Sequence, residues 1–151
     1  MSDKLVKMLS TWFYIGDIPG APGTVASAAG ALLAIIFSSN IILYLLILCA
    51  VIMMGFKVCG LMEKILGRKD PGCIVIDEIA GIMVALFLLP LNFAVMITAF
   101  FLFRAFDMFK IYPVNKFEQL EGSAGVMMDD LFAGVYTNIV MQVAVRWAGI
   151  T

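Results

Sequence analysis

The sequence predicts an all-α fold, a compact multihelical membrane bundle of about five apolar helices plus an N-terminal interfacial helix. Three observations predict it. Apolar residues make up 63% of the 151 residues and charged residues only 14%, whereas soluble domains run at about 45–50% and about 25%. The apolar residues fall into long runs separated by short polar or Pro/Gly-rich connections. The charges gather at one end of those runs. The length fits a single membrane-embedded domain over residues 1–151.

The N-terminal stretch from Lys4 to Ile15 is amphipathic, with Leu5, Met8, Leu9, Trp12 and Phe13 on one side and Lys4 and Lys7 on the other. It reads as a short helix lying at the interface, with Trp12 and Tyr14 at headgroup level. Gly16 to Gly23 is a turn-rich loop. Thr24 opens a first run to Phe37, which is short for a bilayer core of about 30 Å. The second run, Ile41 to about Met62, is long enough to span. A polar loop follows, with Glu63, Lys64, Arg68, Lys69 and Asp70. The third run is Ile74 to Leu89, stopped by Pro90. The fourth is about Phe93 to Ile111 and the fifth about Val126 to Ala148. No secretory signal is read at the N-terminus, so the apolar segments are expected to stay in the mature protein.

Threading the runs alternately through a membrane places every basic residue except Arg146, and every acidic residue, toward one side. The positive-inside rule makes that side cytoplasmic. The expected location is therefore the cell (inner) membrane, multi-pass, with the polar groups facing the cytoplasm. The same threading brings four clusters to one depth: Thr24, Asp77-Glu78, Arg104-Asp107-Lys110 and Asp129-Asp130.

Composition also excludes chemistry. There is no histidine, which removes imidazole bases, phosphohistidine and His-ligated metals. Cys49, Cys59 and Cys73 match no metal spacing, and no arginine follows Cys73 closely enough for a cysteine phosphatase. A net charge of −1 without a basic cluster excludes nucleic acid as a partner.

The acidic pairs carry the chemistry. Asp77-Glu78 and Asp129-Asp130 each read as two acids on the first turn of a helix, followed by Ala-Gly, a small pair that lets helices approach closely. For one isolated pair, capping and the helix macrodipole are a sufficient reason. Two pairs plus Asp107 on one membrane face repel one another unless a cation sits among them. An oxygen-only ligand set points to Mg²⁺ or Mn²⁺ over Zn²⁺. Adjacent residues on a helix point about 100° apart, so one member of each pair is expected to reach the metal. Arg104 lies deep in its run and is read as pairing with an acid or binding an anion. Lys110 suits snorkelling to headgroups. Pro22-Gly23-Thr24 with Ser27 reads either as simple capping by Thr24 or as a phosphate cradle at a helix start. Gly122-Ser123-Ala124-Gly125 reads as a turn or as close backbone approach to a ligand.

With these residues in place, the chain resembles the phosphatidylglycerophosphatase A family. The resemblance rests on Pro22-Gly23-Thr24 with Ser27, on Ile74 to Gly81 with Asp77-Glu78, on Phe103 to Pro113 with Arg104, Asp107 and Lys110, and on Gly125 to Gly134 with Asp129-Asp130. Order and spacing agree from about Gly16 to Val140. Ala26, Ile111-Tyr112-Pro113 and Ser123 depart from the family pattern but leave the acids in place. The resemblance implies a membrane phosphatase that requires Mg²⁺. It would convert phosphatidylglycerophosphate, a phospholipid substrate in the bilayer, to phosphatidylglycerol and phosphate.

On that reading Asp77, Asp107 and Asp129 or Asp130 hold one or two Mg²⁺ ions. Arg104, Lys110 and the Thr24–Ser27 helix start bind the phosphate, and Glu78 or Asp130 orients the attacking water. An aspartyl-phosphate route stays open, as does the oligomeric state. Another lipid-phosphate enzyme and a small Mg²⁺-binding transporter are the competing readings. A transporter should carry its polar groups near the bilayer midplane, whereas here they gather at one end.

Overall fold

The computed structural model describes residues 1–109, 112 and 122–149. Among these there are six α-helices and no strand: α1 (Asp3–Ser10), α2 (Pro22–Phe37), α3 (Ile41–Leu66), α4 (Ile76–Leu86), α5 (Phe93–Phe109) and α6 (Ser123–Ala148), with a 3₁₀ turn at Ile15–Asp17.

Helix α4 is the centre. Of its 11 residues, nine are buried, including Ile76, Ile79, Ile82 and Met83 with no exposed surface. Helices α2, α3, α5 and α6 all pack against it. The third apolar run is therefore not a spanning helix from Ile74 to Leu89. The helix is shorter at both ends, and 11 residues rise only about 16 Å. Ahead of it, the Val75 N–H donates to the Ser10 carbonyl at 3.0 Å, which pins the approach to α4 under α1. Behind it the chain turns at Leu88, whose φ is 56°. The carbonyls exposed by that turn are capped by α6. Asn138 Nδ2 donates to the carbonyls of Ala85 at 3.0 Å and Phe87 at 2.7 Å, and Gln142 Nε2 donates to those of Phe87 and Leu88. Buried helix ends need such partners.

Small residues let the other helices reach α4. The buried face of α2 is Gly23, Ala26, Ser27, Gly30 and Ala34. A Cβ on Gly30 would run into Ile82 and the Ile79 backbone. The two Ala-Gly pairs meet each other: a Cβ on Gly134 would strike the Gly81 carbonyl, and one on Gly81 would meet the Asp130 carbonyl and the Phe103 ring. From α3, the Tyr44 hydroxyl donates to the Met83 carbonyl at 2.6 Å.

Other boundaries also differ from the sequence reading. Helix α1 stops at Ser10, because Thr11 caps back onto Lys7 and Trp12, Phe13 and Tyr14 take positive φ. Trp12 and Tyr14 thus lie in a turn, not on an interfacial helix; Lys7 Nζ sits 2.9 Å from Asp17 Oδ2, which raises the lysine pKa. Helix α2 starts at Pro22, with Ala21 at the N-cap, so Thr24 does not cap it. Helix α6 starts at Ser123, after Gly122 at φ 68°, so Asp129 and Asp130 sit beyond its first turn. One described helix, α3, is long and apolar enough to cross a membrane, with only 28% of its apolar window buried; Asn40 caps its start and Gly67 its end.

The close contact of α4 with α6 predicts that Gly81→Val destabilises the fold by at least about 2 kcal/mol, since the added methyls have no room. Thermal unfolding in detergent would show a lowered midpoint, and an unchanged midpoint would contradict the packing.

Candidate metal centre

Three helices and one loop bring their acids to a single small cavity. It has a volume of about 130 Å³ and is lined, among the described residues, by the carboxylates Asp70, Asp77, Glu78, Asp107, Asp129 and Asp130. Asp77 and Glu78 come from the first turn of α4. Asp107 comes from the last turn of α5, and Asp129 and Asp130 from the second turn of α6.

The tightest group is Asp77, Glu78 and Asp130, whose ligand oxygens lie within 4.8 Å of one another. Both members of the α4 pair take part, where one was expected. Glutamate's extra methylene lets Glu78 bend back to the point Asp77 faces. Asp77 is 6% exposed and Asp130 3%. Asp77 Oδ1, Glu78 Oε2 and Asp130 Oδ1 are buried and have no hydrogen-bond partner among the described residues.

Magnitudes decide between a capping role and a cation site. Two unit charges at this spacing repel by roughly 3–4 kcal/mol at an effective dielectric of about 20. A carboxylate at a helix N-terminus gains only about 0.3–1 kcal/mol from the macrodipole. Asp130 is not on a first turn, so that gain does not reach it. Capping therefore does not account for the cluster, whereas a divalent cation would satisfy the three orphaned oxygens together. All donors are hard oxygens, which fits Mg²⁺ or Mn²⁺.

Arg104 is the cation within the described cluster. Its Nη1 lies 2.7 Å from Asp107 Oδ2 and 3.9 Å from Glu78 Oε1. Of the two roles read for it, pairing with acids is the one the geometry displays. Asp107 is held one turn along from Arg104 on the same face of α5.

The start of α2 reaches the same place. A Cβ on Gly23 would strike Glu78 Oε1 and come within 3.4 Å of Arg104 Nη1. Thr24 is exposed and does not line the cavity. The Ser27 hydroxyl is buried and donates to the Gly23 carbonyl at 2.8 Å. The amides of Thr24 and Val25 already donate to the Ala21 carbonyl, and Pro22 has none, so this helix start has little of a phosphate cradle left. Lys110 lies outside the described residues.

One participant was not singled out in the sequence. Asp70 lines the cavity from the loop after α3. Its φ is 41°, and its N–H donates to Glu63 Oε1 at 2.8 Å. The available signal was Asp70-Pro71-Gly72, a turn sequence close ahead of the Asp77-Glu78 pair. Gly23, read with Pro22 and Thr24 as part of a phosphate cradle, matters in the structure because a Cβ there would push Glu78 Oε1 aside.

The phosphatidylglycerophosphatase A family model matches residues 8–145. A phosphatidylglycerophosphatase A of Haemophilus influenzae is 34% identical over 146 residues, covering 94% of this chain and 90% of that protein. The Escherichia coli protein of the same name is 36% identical over 135 residues, covering 85% and 76%. A Bacteroides thetaiotaomicron protein named "Putative phosphatidylinositol-3-phosphatase" is 39% identical over 155 residues, covering 93% and 92%. No solved structure matches.

The geometry predicts that Gly23→Ala weakens divalent-cation binding about tenfold by displacing Glu78, a loss typical of disturbed positioning around a metal. Titration of the purified protein with Mn²⁺ measures this, and wild-type affinity in the variant would refute the contact.

Proposed function

The chain belongs to the phosphatidylglycerophosphatase A family, and from that premise we propose that it is a Mg²⁺-dependent lipid phosphatase. It hydrolyses the terminal phosphate of phosphatidylglycerophosphate to give phosphatidylglycerol and phosphate. The observation that carries the reading is the trio of buried carboxylates, Asp77, Glu78 and Asp130, with orphaned oxygens at a cavity of phosphate size.

Asp77, Glu78 and Asp130 would hold Mg²⁺. When bound, it supplies charge neutralisation and polarises a phosphoryl oxygen. The chain's own residues do the rest. Arg104 keeps Asp107 and Glu78 in place, so that a dianionic phosphate enters a cavity whose acids are already paired or ligating. Arg104 and Lys110 are the cations assigned to the remaining phosphate oxygens, beside the exposed Thr24. Ser27 secures the backbone of Gly23 rather than touching substrate. Asp129 also lines the cavity, and it is assigned to orient the attacking water. The water oxygen bonds to phosphorus as the ester P–O bond breaks; one water proton ends on the leaving glycerol oxygen.

The setting is proposed to be a membrane surface. Leu32 and Ile36 on α2, Ile42, Leu46 and Met53 on α3, Phe101 on α5 and Ile139 and Val143 on α6 are all exposed, as lipid-facing residues would be. The carboxylates lie at the end with the basic residues, so the site is assigned to the cytoplasmic face of a multi-pass protein in the cell membrane. The acyl chains then stay in the bilayer while the headgroup reaches the cavity. The Bacteroides relative favours a second reading, a phosphate on an inositol headgroup; both substrates are phosphomonoesters on phospholipids and use the same chemistry.

Purified protein should release phosphate from phosphatidylglycerophosphate in Mg²⁺, and EDTA should abolish the release. Absence of release would refute the reading, and faster release from phosphatidylinositol 3-phosphate would favour the second substrate. Asp77→Asn and Asp130→Asn should each lower kcat by roughly 10²-fold or more, the scale of losing a charge-stabilising group, while both variants keep the wild-type unfolding midpoint or exceed it. Near-wild-type turnover in both would remove the metal assignment.

A further inference from the structure

A second, larger cavity adjoins the carboxylate site and has the opposite charge. Its volume is about 680 Å³, and among the described residues its charged lining is Lys57, Lys64, Arg68 and Lys69 with the acid Glu63. Glu63 already accepts the Asp70 N–H at 2.8 Å. No salt bridge among the described residues neutralises Lys57, Lys64 or Arg68. Lys57 and Lys64 are two turns apart on α3 and so share a face. Across the groove stands Ser123 at the start of α6, whose Oγ accepts the Gly60 N–H at 2.6 Å.

The two cavities are lined by neighbouring stretches of the chain. Lys69 lines the basic one and Asp70 the acidic one. Ser123 lines the first, and Val126, one turn further along α6, lines the second. Snorkelling explains a single lysine reaching for headgroups, but not several cations converging on one concavity where, among the described residues, they outnumber the acids.

We propose that this groove is a second anion site, which holds the phosphodiester of an anionic phospholipid beside the carboxylate cavity. The assignment rests on the phosphatase reading for its geometry: a lipid with its terminal phosphate in the acidic cavity carries an inner phosphodiester a few bonds away. Ammonium groups suit a singly charged, loosely held diester, and each lysine near a membrane surface adds about 1 kcal/mol of attraction to anionic lipid. The diester belongs either to the substrate itself or to a neighbouring anionic lipid.

The test starts with binding alone. Calorimetric titration of the detergent-solubilised protein with dihexanoyl phosphatidylglycerol should show tighter binding than with dihexanoyl phosphatidylcholine. The Lys57→Gln/Lys64→Gln variant should weaken the anionic lipid roughly thirtyfold and leave the zwitterionic one unchanged. Arg68→Gln, in the loop beyond α3, repeats the measurement outside any helix. Equal binding of the two lipids by wild type, or undiminished binding by both variants, overturns the proposal. This arm needs no turnover, so it stands apart from a failure to release phosphate. Kinetics in phosphatidylcholine vesicles then identify the source. A higher KM in the double variant with or without added phosphatidylserine assigns the groove to the substrate's own diester. A higher KM only with phosphatidylserine present assigns it to a neighbouring lipid.

Discussion

Carboxylates from α4, α5, α6 and the loop before α4 face a cavity of about 130 Å³, and their burial together with their mutual repulsion is the constraint on which the site depends. At 4.8 Å each ionised pair costs several times what a helix dipole can return. Arg104 offsets part of it, through Asp107 at 2.7 Å and Glu78 at 3.9 Å. The rest is left to a cation. On the proposed reading, the oxygens that repel without a cation would become its ligands.

Holding such a cluster together requires a stiff frame, and α4 provides it. A helix buried on all sides cannot rotate to let Asp77 and Glu78 escape to solvent. Its neighbours are set close by Gly30, Gly81 and Gly134, where any side chain would strike backbone or a packed ring. Its far end is held by Asn138 and Gln142 from α6. The helix that contributes Asp129 and Asp130 thus also anchors the helix that contributes Asp77 and Glu78, so the distance between the two acidic pairs is fixed at both ends of α4.

The acids were legible because charge in an apolar chain is costly and therefore conspicuous. Asp77, Glu78, Asp107, Asp129, Asp130 and Arg104 all stood out by residue type, and alternate threading placed them at one level. Asp70 did not stand out, because it sits among Arg68 and Lys69 in a stretch that reads as a solvated loop. Gly23 stood in a legible motif, but its place opposite Glu78, where a Cβ would displace the carboxylate, is set by how α2 meets α4. The boundaries of α4 were misread for a related reason. Hydrophobicity continues from Ile74 to Leu89, but it does not report helix: Ile74, Val75 and Leu89 are buried outside the helix, and Leu88 is exposed in the turn that ends it.

What the sequence determined by itself was the all-helical class, the family and the acids that face the cavity other than Asp70, since these depend on periodicity, composition and the order of motifs along the chain. Tertiary structure alone decided which carboxylates converge. Asp77, Glu78 and Asp130 form the close trio, Arg104 turns to Asp107, and the Ser27 hydroxyl turns back to its own helix. Those choices depend on helix rotation and on contacts between residues far apart in the chain. Glycines meeting across α2, α4 and α6 set both, and a linear pattern carries no record of which glycine meets which helix.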